Sequence, residues 1–245
     1  MKKKKIAIFI IAYQAVKTLI SAIERIPAEI KDKSEEIYIF DDCSNDNAYY
    51  AGMGYKLLNK LDKLNIYINE KNLGYGGNQK RGYQYAINKG YDIVVMLHGD
   101  VQYAPEKIPE LIEPLLEDKA DAVFGSRILG NPIKGGMPLW KYIGNRILTK
   151  IENFILGTNL SEFHTGFRAY NCDLLKKIPL DKLSNGYHFD TEIIVEMVKL
   201  KARIKEIPIP THYGPESHKI SPIKSIIYGI KIIGTMYSYF LQRKK

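Results

Sequence analysis

The feature that most restricts the fold of this chain is a rhythm. Short β-branched apolar runs at 6–12, 37–40, 66–68, 93–97 and 122–124 alternate with helix-like stretches at 18–26, 48–61, 78–89 and 105–116. Strand, helix, strand in this order predicts an α/β fold, a mostly parallel central sheet flanked by helices. Such sheets bind ligands beyond the carboxyl ends of their strands, so the polar residues just after each run carry the functional information. After Gly125 the rhythm changes: a Gly/Pro-rich passage precedes a long helix-like stretch at 139–156, and the second half is expected to close over the site built by the first.

The 245 residues, 45% of them hydrophobic, can bury a full core without covalent staples. Cys43 and Cys172 lie far apart with no CxxC, which excludes a zinc ribbon, a redox motif or a disulfide framework. The lysine-rich start followed by IAIFIIA imitates a secretory signal. The run is short and β-branched, however, and reads as the first buried strand. No stretch reaches the roughly 18 uncharged apolar residues expected of a spanning helix.

Residues 221–245 read as an amphipathic helix appended to a domain spanning 1–220. Lys224, Tyr228, Lys231, Thr235, Ser238 and Gln242 recur at helical spacing as a narrow polar stripe, leaving an apolar arc wider than one packing face needs. That arc suits a membrane interface, a partner subunit in a homo-oligomer, or burial within the domain. The net charge of +9 favours anionic company: nucleic acid, phosphorylated small molecules or an acidic membrane surface. No nucleic-acid motif or aromatic–basic repeat supports the first. GxGxxG and P-loop patterns are also absent after the first run, so phosphates must be held another way.

Two acidic clusters are predicted at one sheet edge. Asp41, Asp42, Cys43, Ser44, Asn45 and Asp46 follow one run, and His98, Gly99, Asp100, Val101 and Gln102 follow another. Adjacent carboxylates repel, and are tolerated where a metal, a sugar hydroxyl or a base N–H takes up the charge. Asp42, Ser44 and Asp46 equally suit a helix cap. Asp100 and Gln102 form a compact oxygen set for a hard divalent cation. The four glycines between 72 and 82 permit close approach to a phosphate, or simply a tight turn before a helix.

The series IIAYQ, DDCSND, NLGYGGNQKRG, HGDVQ, GSR, FHTGFRAY and FDTE, in that order over about the whole chain, resembles the family 2 glycosyltransferases of GT-A fold, and within them the dolichyl-phosphate mannose synthase-like branch. The resemblance implies that Ile11, Ala12, Tyr13, Asp41, Asp42, Ser44, Asn72 and Gly74 hold a nucleotide-diphosphate sugar. It implies that Asp100 and Gln102 bind Mn²⁺ or Mg²⁺ at the diphosphate, with His98 in place of the family's first metal-motif Asp. Imidazole suits Mn²⁺ better than Mg²⁺. Ile11 replaces the usual proline, Ala15 the usual acid and Asn78 a common alanine, while Glu162 sits near an expected aspartate.

The implied reaction is an inverting, metal-dependent sugar transfer with Asp100, Arg168, Asp190 and Glu192 as catalytic residues. A hydroxyl acceptor requires a base, for which Asp190 and Glu192 are candidates, although acids there also suit the first turn of a helix. A polyprenyl (dolichyl or undecaprenyl) phosphate is already anionic and requires cations instead. Arg127, Arg146 and Arg168 suit that role, with surface salt bridges as the alternative. The expected enzyme is peripheral on the cytoplasmic face of a membrane, in glycan biosynthesis. Transfer to a glycan or other soluble acceptor, and nucleotide-sugar binding without turnover, are the competing readings.

Overall fold

The computed structural model describes residues 3–213 and 222–243. Seven strands, β1 (Ile6–Ala12), β2 (Glu36–Asp41), β3 (Leu64–Ile68), β4 (Ile93–His98), β5 (Ala122–Ser126), β6 (Arg168–Asn171) and β7 (Ile204–Pro208), form one sheet in the order β3-β2-β1-β4-β6-β5-β7. Every pairing is parallel except those of β6, which runs antiparallel between β4 and β5. The helices are α1 (Leu19–Glu24), α2 (Ala28–Lys33), α3 (Ala48–Asn59), α4 (Tyr75–Lys89), α5 (Ile108–Leu116), α6 (Leu139–Leu156), α7 (Cys172–Leu175), α8 (Phe189–Lys199) and α9 (Pro222–Arg243).

β1 is apolar at every position because both of its faces are covered. Ile6, Ile8 and Ile10 enter one core, roofed by Leu19, Ile23, Leu111 and Leu115 of α1 and α5. Ala7, Phe9 and Ile11 enter the other, where α4 and α8 pack. This second core is aromatic: the Phe9 and Tyr38 rings stack with centroids 5.2 Å apart. α9 packs on α6 and α8 and contributes Ile232 and Met236 to the same core. The expected boundary between 220 and 221 lies outside the described residues, as do the terminal Lys244 and Lys245.

Candidate active site

The register puts the polar clusters side by side. Ala12 of β1 faces Asp41 of β2, and Ile11 faces His98 of β4, so the chain leaves three neighbouring strands at one edge. The turns there are sharp: Gln14, Cys43, Asn47 and Val101 all have positive φ. Val101, at φ +52°, is β-branched, and a left-handed conformation costs such a residue about 1–2 kcal/mol. It sits between Asp100 and Gln102, so the strained residue fixes how those two side chains leave the strand. A cleft of about 580 Å³ opens beyond this edge.

At the β2 end, the Asp42 carboxylate accepts hydrogen bonds from the backbone N–H of Leu73 (2.8 Å) and Gly74 (2.9 Å) and from Asn69 Nδ2 (2.8 Å). Asn72 Nδ2 donates to the Asp42 carbonyl. These bonds draw the segment before α4 against the end of β2. The glycines mark a close approach of protein to protein: a Cβ on Gly76 would stand 2.6 Å from the Ser184 carbonyl oxygen and 2.6 Å from Phe189 Cβ. Of the residues expected around a nucleotide sugar, Ile11, Tyr13, Asp42, Asn72 and Gly74 line the cleft.

Ala12, Asp41 and Ser44 do not line it. Asp41 is buried and accepts from Ser44 Oγ (2.6 Å) and the Ser44 N–H (3.0 Å), and Ser44 Oγ accepts from the Gln14 N–H. Burial raises the Asp41 pKa against the lowering effect of those bonds. Ala12 and Asp41 end β1 and β2, and Ser44 ties the following turn to Asp41, a correction to the expectation that these three touch a ligand.

At the β4 end, His98, Asp100 and Gln102 all line the cleft. Asp100 Oδ1 accepts from the Gln102 N–H at 3.1 Å. His98 Nε2 lies 3.3 Å from Tyr75 Oη, and its ring meets those of Tyr75 and Tyr103 edge-on. Tyr75 donates to Asp190 Oδ2 at 3.0 Å, linking α4, β4 and α8 across the cleft. One carboxylate, one amide and one imidazole within five residues fit a divalent cation that takes its other ligands from substrate phosphates. Among the described residues no group of three or more His, Cys, Asp or Glu converges, so the phosphates would be essential to such a site.

The arginines require correction. Arg168 is fully buried. It donates to the carbonyls of Thr165 (2.8 Å), Phe163 (2.7 Å) and Asp190 (3.2 Å), and its guanidinium lies 4.6 Å from the Phe124 ring centroid. Such a side chain cannot clamp an acceptor. Arg127 reaches the cleft wall, but four of its five N–H groups are committed to Glu162, Tyr213 and the His164 carbonyl. Burial pushes the Glu162 carboxyl up, and Arg127 with Asn145 more than reverses this, holding it below its ordinary value. Arg146 is half-buried and does not line the cleft; its neighbour Asn145 does.

Asp190 lines the cleft, its oxygens accepting from Tyr75 and Gln79 and lying 3.6 Å from Arg168 Nη1. Glu192 does not. Two residues along a helix is about 200° of rotation, and Glu192 instead accepts from the Ser184 N–H on the far side of α8.

Sequence reasoning missed a second cation of the cleft lining beside Arg127: Lys141, in the first turn of α6. Its Nζ lies 5.0 Å from the Tyr213 ring centroid. Burial, and then the Arg127 charge, lower its pKa to about 8. His164, another omission, sits with Nδ1 2.9 Å from Tyr228 Oη of α9 and Nε2 3.1 Å from Glu152 Oε2 of α6. The signal for Lys141 was its place directly after a Gly/Pro loop and Trp140, at the start of a long helix whose N-terminus favours anions.

Residues 7–179 match the family described as Glycosyl transferase family 2. The chain belongs to that family. As a family 2 glycosyltransferase it is similar to the UDP-N-acetylglucosamine–dolichyl-phosphate N-acetylglucosaminyltransferase of Methanococcus voltae, with 28% identity over 95% of this chain and 94% of the other. The undecaprenyl-phosphate mannosyltransferase of Micrococcus luteus is 32% identical over 56% of each chain. Glucosyl-3-phosphoglycerate synthase from Mycobacterium tuberculosis, solved with Mn²⁺, UDP and phosphoglyceric acid, superposes with a TM-score of 0.72 at 17% identity, covering 97% of this chain and 78% of that one. The glycosyltransferase therefore has the GT-A fold.

Proposed function

We propose that this glycosyltransferase moves a sugar, with inversion, from a nucleoside diphosphate sugar to a polyprenyl phosphate at the cytoplasmic face of a membrane. The observation that carries this reading is the composition of the cleft. Asp42, Asn72 and Asp100 lie along one wall, while Trp140 and Leu148 of α6 and Ile226 of α9 form another. The apolar wall suits an isoprenoid tail, and Lys141 in the same lining suits the anionic head that such a tail carries. The similarity along almost the whole of the Methanococcus voltae enzyme, named for a dolichyl-phosphate acceptor, supports it.

Asp42 and Asn72 then stand at the donor end. Asp100, with Gln102 and His98, would hold the Mn²⁺ or Mg²⁺, whose chemistry is to neutralise charge developing on the departing diphosphate. Lys141 and the N-terminus of α6 face the same anions. A lipid phosphate is a nucleophile without losing a proton at neutral pH. This agrees with Asp190 having its oxygens engaged by Tyr75 and Gln79, which gives it a positioning role.

The test is a panel of radiolabelled UDP and GDP sugars with dolichyl or undecaprenyl phosphate dispersed in detergent and Mn²⁺ or Mg²⁺ present. Label moving into the organic phase is the expected result. Label appearing only on a soluble glycan overturns the acceptor, and donor binding without transfer or hydrolysis across all acceptors overturns the enzyme reading.

A further inference from the structure

α6 is built inside out. Three of its four buried positions are polar, Asn145, Thr149 and Glu152 beside Leu156, while Trp140, Ile143, Ile147, Ile151 and Phe154 on the opposite side are exposed, Phe154 by 90%. A helix packed on a domain in water ordinarily shows the reverse. On α9, which packs beside it, Ile226, Ile230, Ile233 and Tyr237 form a second exposed stripe at helical spacing. Among the described residues, 13 of the 22 exposed large apolar side chains lie on these two helices. Monomers in water seldom expose contiguous apolar patches beyond a few hundred Å².

We propose that the paired faces of α6 and α9 insert into the surface of an anionic lipid bilayer and hold the mouth of the cleft there. Three observations select a bilayer. Arg146 and Lys150 fall by helical spacing along one flank of the α6 stripe, in a chain of net charge +9, and cations at the rim of an apolar face complement anionic headgroups. A second copy meeting this face through a two-fold axis would bring those same cations towards their own counterparts. Trp140 and Ile226 belong both to the exposed stripes and to the cleft lining, so the face is continuous with the site. No helix among the described residues is long and apolar enough to cross a membrane, so the insertion is interfacial.

The insertion stands on the exposed face alone. The consequence for catalysis, that the acceptor phosphate reaches the cleft without leaving the bilayer, rests on the polyprenyl phosphate reading.

The experiment uses the full-length protein and vesicles of seven parts phosphatidylcholine to three parts phosphatidylglycerol. The chain has one tryptophan, Trp140, on the proposed face, so its emission reports that face directly. Expected are co-sedimentation with vesicles, a blue shift of Trp140 emission and its quenching by brominated lipid. Ile147→Glu with Phe154→Glu should lower vesicle partitioning at least tenfold, with the thermal midpoint and the UDP-induced thermal shift unchanged. Leu58→Glu, equally exposed but on α3, should change nothing. If the wild type fails to bind, if Trp140 is not quenched, or if the α6 variant merely turns a dimer into a monomer with vesicle binding intact, the bilayer is the wrong occupant. Vesicle binding without transfer to detergent-dispersed polyprenyl phosphate overturns the acceptor and leaves the membrane face standing. Transfer in detergent by a protein that ignores vesicles does the opposite.

Discussion

Gly166→Ala isolates how closely His98 must be held. A Cβ at residue 166 would stand 2.7 Å from His98 Cε1 and 2.8 Å from Tyr75 Oη, and nearer still to His98 Nε2, where ordinary contact begins at 3.4 Å. Tyr103 packs edge-on against the imidazole, and Tyr75 is itself bonded to Asp190, so the ring has the cleft to move into. A displacement on the order of 1 Å at a reacting centre costs about 10²-fold in rate, or roughly 2.7 kcal/mol of transition-state stabilisation. The fold should suffer less. Gly166 does not have a positive φ, so alanine brings no backbone strain there, and overpacking costs about 1–3 kcal/mol against a gain of roughly 0.4–1 kcal/mol from a stiffer unfolded chain.

The assay is kcat/KM for transfer in detergent, beside the thermal midpoint, in a cycle with His98→Ala. We expect Gly166→Ala to lower kcat/KM about 10²-fold alone and to be nearly neutral when His98 is already alanine. Full activity of the single variant, or an equal loss in both backgrounds, refutes the argument that the small residue exists to seat the imidazole.

Three further outcomes are expected. Asp100→Asn should lower kcat on the order of 10²-fold with an unchanged thermal midpoint, and near wild-type turnover at saturating Mn²⁺ would sink the cation assignment. Arg168→Lys should destabilise the fold by about 3 kcal/mol in a denaturant titration, by leaving the Phe163 and Thr165 carbonyls and Asp190 poorly paired, with the acceptor KM of the folded protein unchanged; a raised KM at intact stability would restore the phosphate-clamp reading. Lys141 loses its proton as pH rises through about 8, so kcat/KM for an anionic substrate should fall above that pH. In Lys141→Arg the cation persists and the alkaline fall should vanish; its survival there would identify another group.

The five strands legible in the sequence include the central β1, β2 and β4, whose two-sided burial demands unbroken apolar runs. The parallel order then followed, and with it the meeting of Asp42 and Asp100 at one edge. β7 escaped notice because it is a half-exposed edge strand carrying Lys205 and Glu206. α2 is a six-residue helix with one buried side chain, too short for periodicity to register. The reversed β6 mattered most. Only its antiparallel register sets Arg168 beside both Met96 and Phe124, turning a cation beside the motif into a buried one.

That reversal redistributes the charge of the whole site. Arg127 with Glu162, and Arg168 with Asp190, are buried pairs at the two ends of the segment 162–168, whose His164 lines the cleft. Their guanidinium groups also hold the carbonyls of Phe163, His164 and Thr165. Buried ion pairs are weak evidence for added stability, because desolvation offsets most of their attraction. What this arrangement supplies is position: the segment presents Gly166 beneath His98 and sets His164 against both Tyr228 of α9 and Glu152 of α6. Arg127 and Arg168, which the sequence offered to a substrate, are thereby committed to holding a segment that joins the strand-end residues to α6 and α9. On the proposed function, substrate anions meet the first turn of α6 and Lys141, a cation whose charge is marginal above neutral pH and which a bound phosphate would itself stabilise.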